Sequence, residues 1–408
     1  MEVMHVACAG LDVHKDSVVG SIRVQSGSSV TRETLTFSTL TRGLLELSDW
    51  LSSHHIAAVA MEATGVYWKP VWHILESGFD LTLANPAHIK NVPGRKSDTK
   101  DAEGIAELLA HGLIQASFVP PEPIGELRDL TRTRKQLTRE IVSHTQRLQK
   151  TLEDANIKLS SVVSDILGQS GRRMLEALIA GETQPEKLAG LAVGRLTSKR
   201  DQLTEALRGK VREHHRFLLK LHLDQIKAIE GAVASIEERL AEVLVPFAAA
   251  LERLKTIPGV SDTLAQVIVA EIGVDTGRFV DENHLVSWAG LCPRLDESAG
   301  KRRSTRVRAG NVWLKTGLVQ AAWAASRCKT GYLPVRFRRI RARRGAKKAV
   351  VANAAFILRA AYCVLRDNVP FKELGEDHLE RRDKERSISR LVGQLERLGV
   401  KVAIERAA

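Results

Sequence analysis

The chain has 408 residues, 44% of them hydrophobic and 27% charged, enough for two or three domains with sizeable cores. Its 61 basic residues against 48 acidic ones leave a formal charge of +13, which points to a polyanionic partner. Aromatic residues make up only 4%; that excludes single-strand stacking as the main binding mode and favours backbone electrostatics on a duplex or a structured RNA.

From His5 to Val24, short apolar runs broken at His14-Lys15-Asp16 predict two strands and a tight turn. Val30 to Ser38 alternates strictly, as a half-buried third strand does. Leu44, Leu47, Trp50 and Leu51 place a helix over 41–53, and Ile56 to Met61 is an apolar run suited to a strand buried on both faces. A helix from Tyr67 to Gly78, a strand from Leu81 to Ala84 and a helix bearing Ala102, Ile105, Leu108 and Leu109 follow. The resulting order, β-β-β-α-β-α-β-α, is that of an α/β RNase H-like fold.

Four acids fall at telling places on such a scaffold. Asp12 lies in the first strand and Glu62 at the C-terminal end of the central buried strand, where open α/β sheets bind ligands. Adjacent strands are about 4.8 Å apart, so both acids could face one point. Asp98 and Asp101, three residues apart at the start of the last helix, share one face and would cover that point. Such a cluster needs cations. Oxygen-only ligands favour Mg²⁺ or Mn²⁺ over zinc, and paired ions serve in-line phosphoryl displacement. Singly, each acid also has a plain structural reading, as a helix-start, turn-side or capping carboxylate. Asp16 falls in the turn and is set aside.

The motifs GLDVHKDS around Asp12, MEATGVYW around Glu62, NPAHIK from Asn85 and KSDTKDA around Asp98 and Asp101 resemble those of the DEDD-type insertion-sequence transposases and the related pilin-gene invertases. The resemblance covers the first 119 residues. It implies that Asp12, Glu62, Asp98 and Asp101 are the metal-binding quartet of a Holliday-junction-resolvase-like domain.

Pro120-Pro121-Glu122-Pro123 breaks the chain. Helical periodicity then runs from Ile124 through Leu152, and a second long helix is predicted from Asp201 to Arg253, together an antiparallel coiled-coil arm over 120–254. A plain helical bundle is the alternative. His144, His214 and His215 read as helix histidines rather than ligands. The arm suits self-association, with its basic face towards nucleic acid.

Residues 255–370 are expected to be mostly α. Ile257-Pro258-Gly259-Val260 between two helical stretches resembles a helix-hairpin-helix element, a phosphate seat that positions without reading bases; a packing turn is the other reading. A basic loop follows, with Ser298 ahead of Lys301, Arg302, Arg303, Arg306 and Arg308. A serine hydroxyl needs activation before it attacks, and clustered cations would steady the charge of a five-coordinate phosphorus. From the residues alone Ser298 reads as an ordinary loop serine.

The run from Pro293 through Asn311 to Lys315 resembles the C-terminal transposase domain of the same family, which carries a catalytic serine. Family members read Ser-Gly; here Ala299 intervenes before Gly300, and Ser298 is taken over Ser304. A helix over 312–325 and a basic block over 336–348 follow, the block holding Arg338, Arg339, Arg341, Arg343 and Arg344 as nucleic-acid contacts. An apolar helix over 349–365 should pack under the serine loop, and 371–408 is a charged tail.

Four scattered cysteines without a C-x-x-C pair argue against zinc and disulfides and for a reducing compartment. With no signal-like start and no run of 18 apolar residues, a cytoplasmic protein without a membrane span is expected. The sequence thus reads as an Mg²⁺- or Mn²⁺-dependent transposase that cuts and rejoins double-stranded DNA of a mobile element through a phosphoserine. The resemblance implies homo-oligomers and, as in many family members, an element-encoded noncoding guide RNA. The alternatives are a resolvase-like nuclease using metal-activated water, and a non-enzymatic nucleic-acid scaffold.

Overall fold

The computed structural model describes residues 3–86, 101–293, 296–298, 300–304 and 306–399, without the side chains of 296–298, 302, 303, 383, 385–387, 389 and 390. The chain divides into two compact units, Met1–Val119 and Pro120–Ala408.

In the first unit β1 (Ala7–Val13), β2 (Ser17–Ser26) and β3 (Ser29–Ser38) form an antiparallel meander. Helix α1 (Thr41–Ser53) leads into β4 (Ala58–Glu62), which pairs parallel to β1. Helix α2 (Trp68–Leu75) leads into β5 (Asp80–Ala84), parallel to β4, and α3 (Asp101–Ala110) follows. The sheet order is β3-β2-β1-β4-β5, a mixed α/β arrangement compatible with an RNase H-like domain.

Strands β1 and β4 are buried on both faces, which explains their unbroken apolar sequence. On one face Ala9, Leu11, Val13, Val59 and Met61 pack against Leu44, Leu47 and Leu51 of α1 and Val71 and Leu75 of α2. Each leucine so buried contributes about 1.5–3 kcal/mol. On the other face the side chains are small: Cys8, Ala58, Ala60 and Ala84 meet Ile105, Leu109 and Ala110 of α3. Small residues let α3 approach closely. A Cβ on Gly10 would stand 2.2 Å from the Ala102 carbonyl oxygen and 2.4 Å from the Ala106 nitrogen.

Among the described residues, the regular structure of the second unit is helical apart from a short hairpin. Helix α4 (Glu122–Asp154) starts with Pro123 in its first turn, where the missing N–H costs nothing. Helices α5 (Leu159–Val162), α6 (Gln169–Ala180), α7 (Pro185–Gly190) and α8 (Arg200–Ala206) follow, and then the long α9 (Glu213–Val243). Arg134 meets Glu237, His144 meets His222 and Asp154 meets His215, so α4 and α9 run antiparallel. Helices α5–α8 cap their far end around a core of Leu148, Leu152, Met174, Leu175, Leu219 and Leu223.

The second long helix expected over 201–253 is in fact four pieces: α8, α9, a 3₁₀ turn at Val245–Phe247 and α10 (Ala248–Lys255). Its first break lies where the chain hydrogen-bonds to the turn after α4, Lys158 N–H to the Ala206 oxygen at 2.7 Å and Lys210 N–H to the Ala155 oxygen at 2.9 Å. Gly209 fits there because a Cβ would meet the Ala155 oxygen at 2.3 Å. Pro246 lies in the 3₁₀ turn at the second break.

Helices α11 (Asp262–Ile272), α12 (Glu282–Trp288), α13 (Val312–Ser326), α14 (Tyr332–Arg344), α15 (Ala346–Asp367) and α16 (His378–Arg397) complete the unit. Their shared core includes Leu264, Ile268, Leu314, Leu318, Ile357 and Leu358. By length and hydropathy α15 could cross a membrane, but 67% of its apolar window is buried inside the unit, as befits a core helix. The basic block expected over 336–348 is the exposed face of α14 and the start of α15, with Leu333 and Phe337 turned inward.

Candidate active site

Asp12 and Glu62 reach one end of the sheet by register. Leu11 pairs with Met61, so Asp12 and Glu62 stand abreast one residue further on. Side chains alternate along a strand; Cys8, Gly10 and Asp12 therefore share a face with Ala58, Ala60 and Glu62, the face α3 covers. Cys8 Sγ donates to the Ala106 oxygen at 3.4 Å, and Gly10 lies under Ala102 and Ala106. Following β1 forward thus means following α3 back towards its first residue, Asp101. The Asp12 carboxylate is 18% exposed and its Oδ2 lies 3.2 Å from His14 Nε2; the sequence reading did not anticipate that contact. Asp98 lies outside the described residues.

Carboxylate oxygens are the donor chemistry that suits Mg²⁺ or Mn²⁺. Among the described residues, no three His, Cys, Asp or Glu side chains group closely enough to hold a metal by themselves.

Helix α3 is pinned by Glu107 near the other end of β1, where Arg23 pairs with Cys8. Its carboxylate accepts from Arg23 Nε at 2.9 Å and Arg32 Nη2 at 2.8 Å, and Oε1 lies 3.1 Å from His111 Nε2. Arg23 on β2 is 3% exposed. Burial alone would raise the Glu107 pKa, but the bonds from Arg32 and Arg23, the Arg23 charge and His111 outweigh it and hold the carboxyl at about 2. Nothing local in the sequence announced this cluster.

In the second unit, Ser298 lies in a hairpin rather than the open loop expected: β6 (Asp296–Ser298) pairs antiparallel with β7 (Lys301–Ser304), Ser298 opposite Lys301. Gly300 turns between them at φ +73°, a conformation glycine adopts at no steric cost. Two more glycines cinch the base. A Cβ on Gly290 would stand 2.8 Å from the Gly310 Cα, and one on Gly310 would stand 2.5 Å from the Ala289 oxygen.

Below that base lies a buried polar junction the sequence reading missed. Glu271 on α11 is wholly buried. It accepts from Arg132 Nε and Nη2, both at 2.8 Å, and from Asn311 Nδ2 at 2.6 Å, with Arg128 Nε at 3.5 Å. The Asn311 side-chain oxygen also caps α13 by accepting from Leu314 N–H at 3.0 Å. Lys315 Nζ donates to the Arg308 oxygen at 3.0 Å, and burial lowers its pKa. One carboxylate thus ties α4, α11 and the exit of the hairpin together. The glycine-asparagine pair before an apolar helix was the one visible signal.

Lys301 on β7 is exposed, as are Arg306 and Arg308 after it, and Arg338, Arg339, Arg341, Arg343 and Arg344 are exposed along α14; the side chains of Arg302, Arg303 and Ser298 lie outside the described residues. The Ile257–Val260 turn packs rather than opens: Gly259, at φ +88°, sits where a Cβ would meet the Ala321 oxygen at 2.4 Å.

Comparison with known proteins finds two matches to one family, a DEDD-type IS110 transposase model over residues 9–157 and the transposase IS116/IS110/IS902 family over 251–334. The chain is 25% identical over 253 residues to "Putative transposase y4qE" of Sinorhizobium fredii, an alignment that spans 60% of this chain and 53% of that protein. It is 23% identical over 359 residues to the pilin gene-inverting protein of Moraxella lacunata, spanning 84% of this chain and 91% of the relative.

Proposed function

The chain belongs to the IS116/IS110/IS902 family of transposases, and from that premise we propose that it cuts and rejoins double-stranded DNA of a mobile element with Ser298 as nucleophile. In this reading Ser298 Oγ attacks a backbone phosphorus. The Oγ–P bond forms as the P–O bond to the departing sugar breaks, the Oγ proton passes to water, and the departing sugar oxygen takes up a proton. The phosphoserine ester keeps the energy of the cleaved linkage, so a second strand's hydroxyl can reverse the step without nucleotide fuel. Lys301, Arg306 and Arg308, with Arg302 and Arg303, offset the charge that builds on the phosphate.

The acidic set is Asp12, Glu62, Asp98 and Asp101 on an RNase H-like domain. Mg²⁺ or Mn²⁺ bound there would supply Lewis-acid stabilisation of phosphate oxygens. The observation that carries the reading is the register that sets Asp12 beside Glu62 on the face covered by α3. The α14 arginines provide sequence-independent grip on DNA. The paired helices α4 and α9 form a coiled-coil arm for self-association, and an element-encoded noncoding RNA is the partner that would select the DNA. Gene inversion, the activity for which the Moraxella relative is named, fits strand exchange better than simple cutting.

Covalent trapping tests this. Wild-type protein with Mg²⁺ and element-end DNA should yield a denaturation-resistant protein–DNA adduct, absent in Ser298→Ala and in Asp12→Asn. Cleavage that persists in Ser298→Ala but stops in Asp12→Asn would mean that water is the nucleophile.

A further inference from the structure

In the second unit α4 and α9 lie side by side, and two histidines meet across their seam. His144 Nδ1 and His222 Nδ1 are 3.3 Å apart, on rings whose centroids are 5.4 Å apart and whose planes cross at 61°. His144 sits midway along α4 between Arg134 and Asp154, which link to Glu237 and His215 of α9. No residue of α4 from Lys135 to Arg147, and none of α9 from Lys227 to Arg239, is buried. The seam there lacks a core of its own and leans on such links. From the sequence His144 reads as a plain helix histidine; His222, 78 residues on, joins it only in the folded unit.

Two nitrogens this close cannot both turn lone pairs on one another. Either one ring carries its proton on Nδ1 and donates it, or a cation stands between the two. Burial, the His144 ring and the charge of Arg147 lower the pKa of His222, so at neutral pH its ring keeps the lone pair a metal needs. The separation fits a tetrahedral transition ion. Zinc binds imidazole at about 2.0–2.1 Å, and in a tetrahedral shell two such ligands stand about 3.3–3.4 Å apart. In a square-planar or octahedral shell they would stand about 2.8–3.0 Å apart. Imidazole also suits zinc over Mg²⁺ and Ca²⁺, which take oxygen, and the neighbouring Arg147 repels an ion held by charge alone.

We propose that His144 and His222 bind one Zn²⁺ through their Nδ1 atoms and that the ion staples α4 to α9. Among the described residues no third His, Cys, Asp or Glu groups with them, and both rings are part-exposed, so water fills the two remaining positions. Two protein ligands in place of the four of a closed structural site make the ion exchangeable, and the seam stiffens or loosens with free zinc. The pair is separate from Ser298 and from the carboxylates read as binding Mg²⁺ or Mn²⁺. Its failure would leave the recombinase reading untouched.

The test titrates the full-length protein, free of any affinity tag and stripped of metal by a chelator, with Zn²⁺ and separately with Co²⁺. Wild type should take up one more equivalent of Zn²⁺ than His144→Gln or His222→Gln, and its Co²⁺ form should show the intense visible bands of a tetrahedral site, absent from both variants. Glutamine still hydrogen-bonds across the seam, and unchanged circular dichroism checks that each variant is folded. Zn²⁺ at about ten times its dissociation constant should slow amide exchange beside the pair on α4 and α9 by about tenfold in wild type and leave the variants unchanged. Equal Zn²⁺ uptake by wild type and both variants overturns the site. A wild-type Co²⁺ form without tetrahedral bands overturns it whatever the variants do. Uptake that needs both histidines but leaves amide exchange unaltered overturns the staple.

Discussion

Replacing Gly10 by alanine should disable the acidic site without touching a carboxylate. The added Cβ would lie 2.2 Å from the Ala102 oxygen, 2.4 Å from the Ala106 nitrogen and 2.9 Å from the Ile105 Cβ, where ordinary contact begins at 3.4 Å. Two of those three atoms are helix backbone and no side-chain rotamer relieves them, so α3 as a whole must retreat from β1. Overpacking of this kind costs about 1–3 kcal/mol, a loss of several degrees in melting temperature for a unit of this size. The retreat carries Asp101 away from Asp12, and a misplacement of about 1 Å at a reacting centre can cost about 10²-fold in rate. The assays are circular dichroism, thermal unfolding, Mn²⁺ titration by calorimetry, and strand cleavage. The expected pattern is a folded protein with weaker Mn²⁺ binding and cleavage down by one to two orders of magnitude. A Gly10→Ala protein with wild-type Mn²⁺ affinity and cleavage would refute the claim that the close β1–α3 approach sets the acidic site.

Glu107→Gln should destabilise the first unit by about 1–2 kcal/mol, a figure discounted for a carboxylate 39% exposed on its side chain. Its folded pKa is depressed to about 2 from an ordinary 4.5, so its stabilisation is full above pH 4.5 and fades as pH falls towards 2; melting temperatures between pH 5 and pH 2 should fall more steeply in wild type than in Glu107→Gln. Glu271→Ala strands Arg132 and Arg128 beside an empty carboxylate site and should cost about 3–5 kcal/mol, read from urea midpoints, whereas Glu271→Gln should cost less because the amide oxygen still accepts. Arg341→Ala with Arg344→Ala should weaken binding evenly across DNA sequences and lower the slope of log affinity against log salt by about 0.9 for each phosphate no longer neutralised.

The order of strands and helices in the first unit was legible because each element advertises itself locally. Alternation marks β3, although the strand is largely exposed rather than half-buried as expected; the apolar runs mark β1 and β4, and 3.6-residue spacing marks α1 and α3. That Asp12 and Glu62 lie on strands able to face one point was legible too, but the register of Leu11 beside Met61, which levels them, came only with the sheet. What only tertiary structure decided rests on partners distant in sequence. Gly209 breaks the second long helix because its neighbours bond to the turn at 155–158. Glu271 looks like any helix acid until Arg132, 139 residues away, encloses it. Ser298 reads as a loop residue until Gly300 folds the chain back and β7 pairs with β6. Periodicity reports which face of an element is wet or dry, but a buried ion pair, a hairpin or a glycine contact exists only when two remote stretches meet, and no single stretch carries that information.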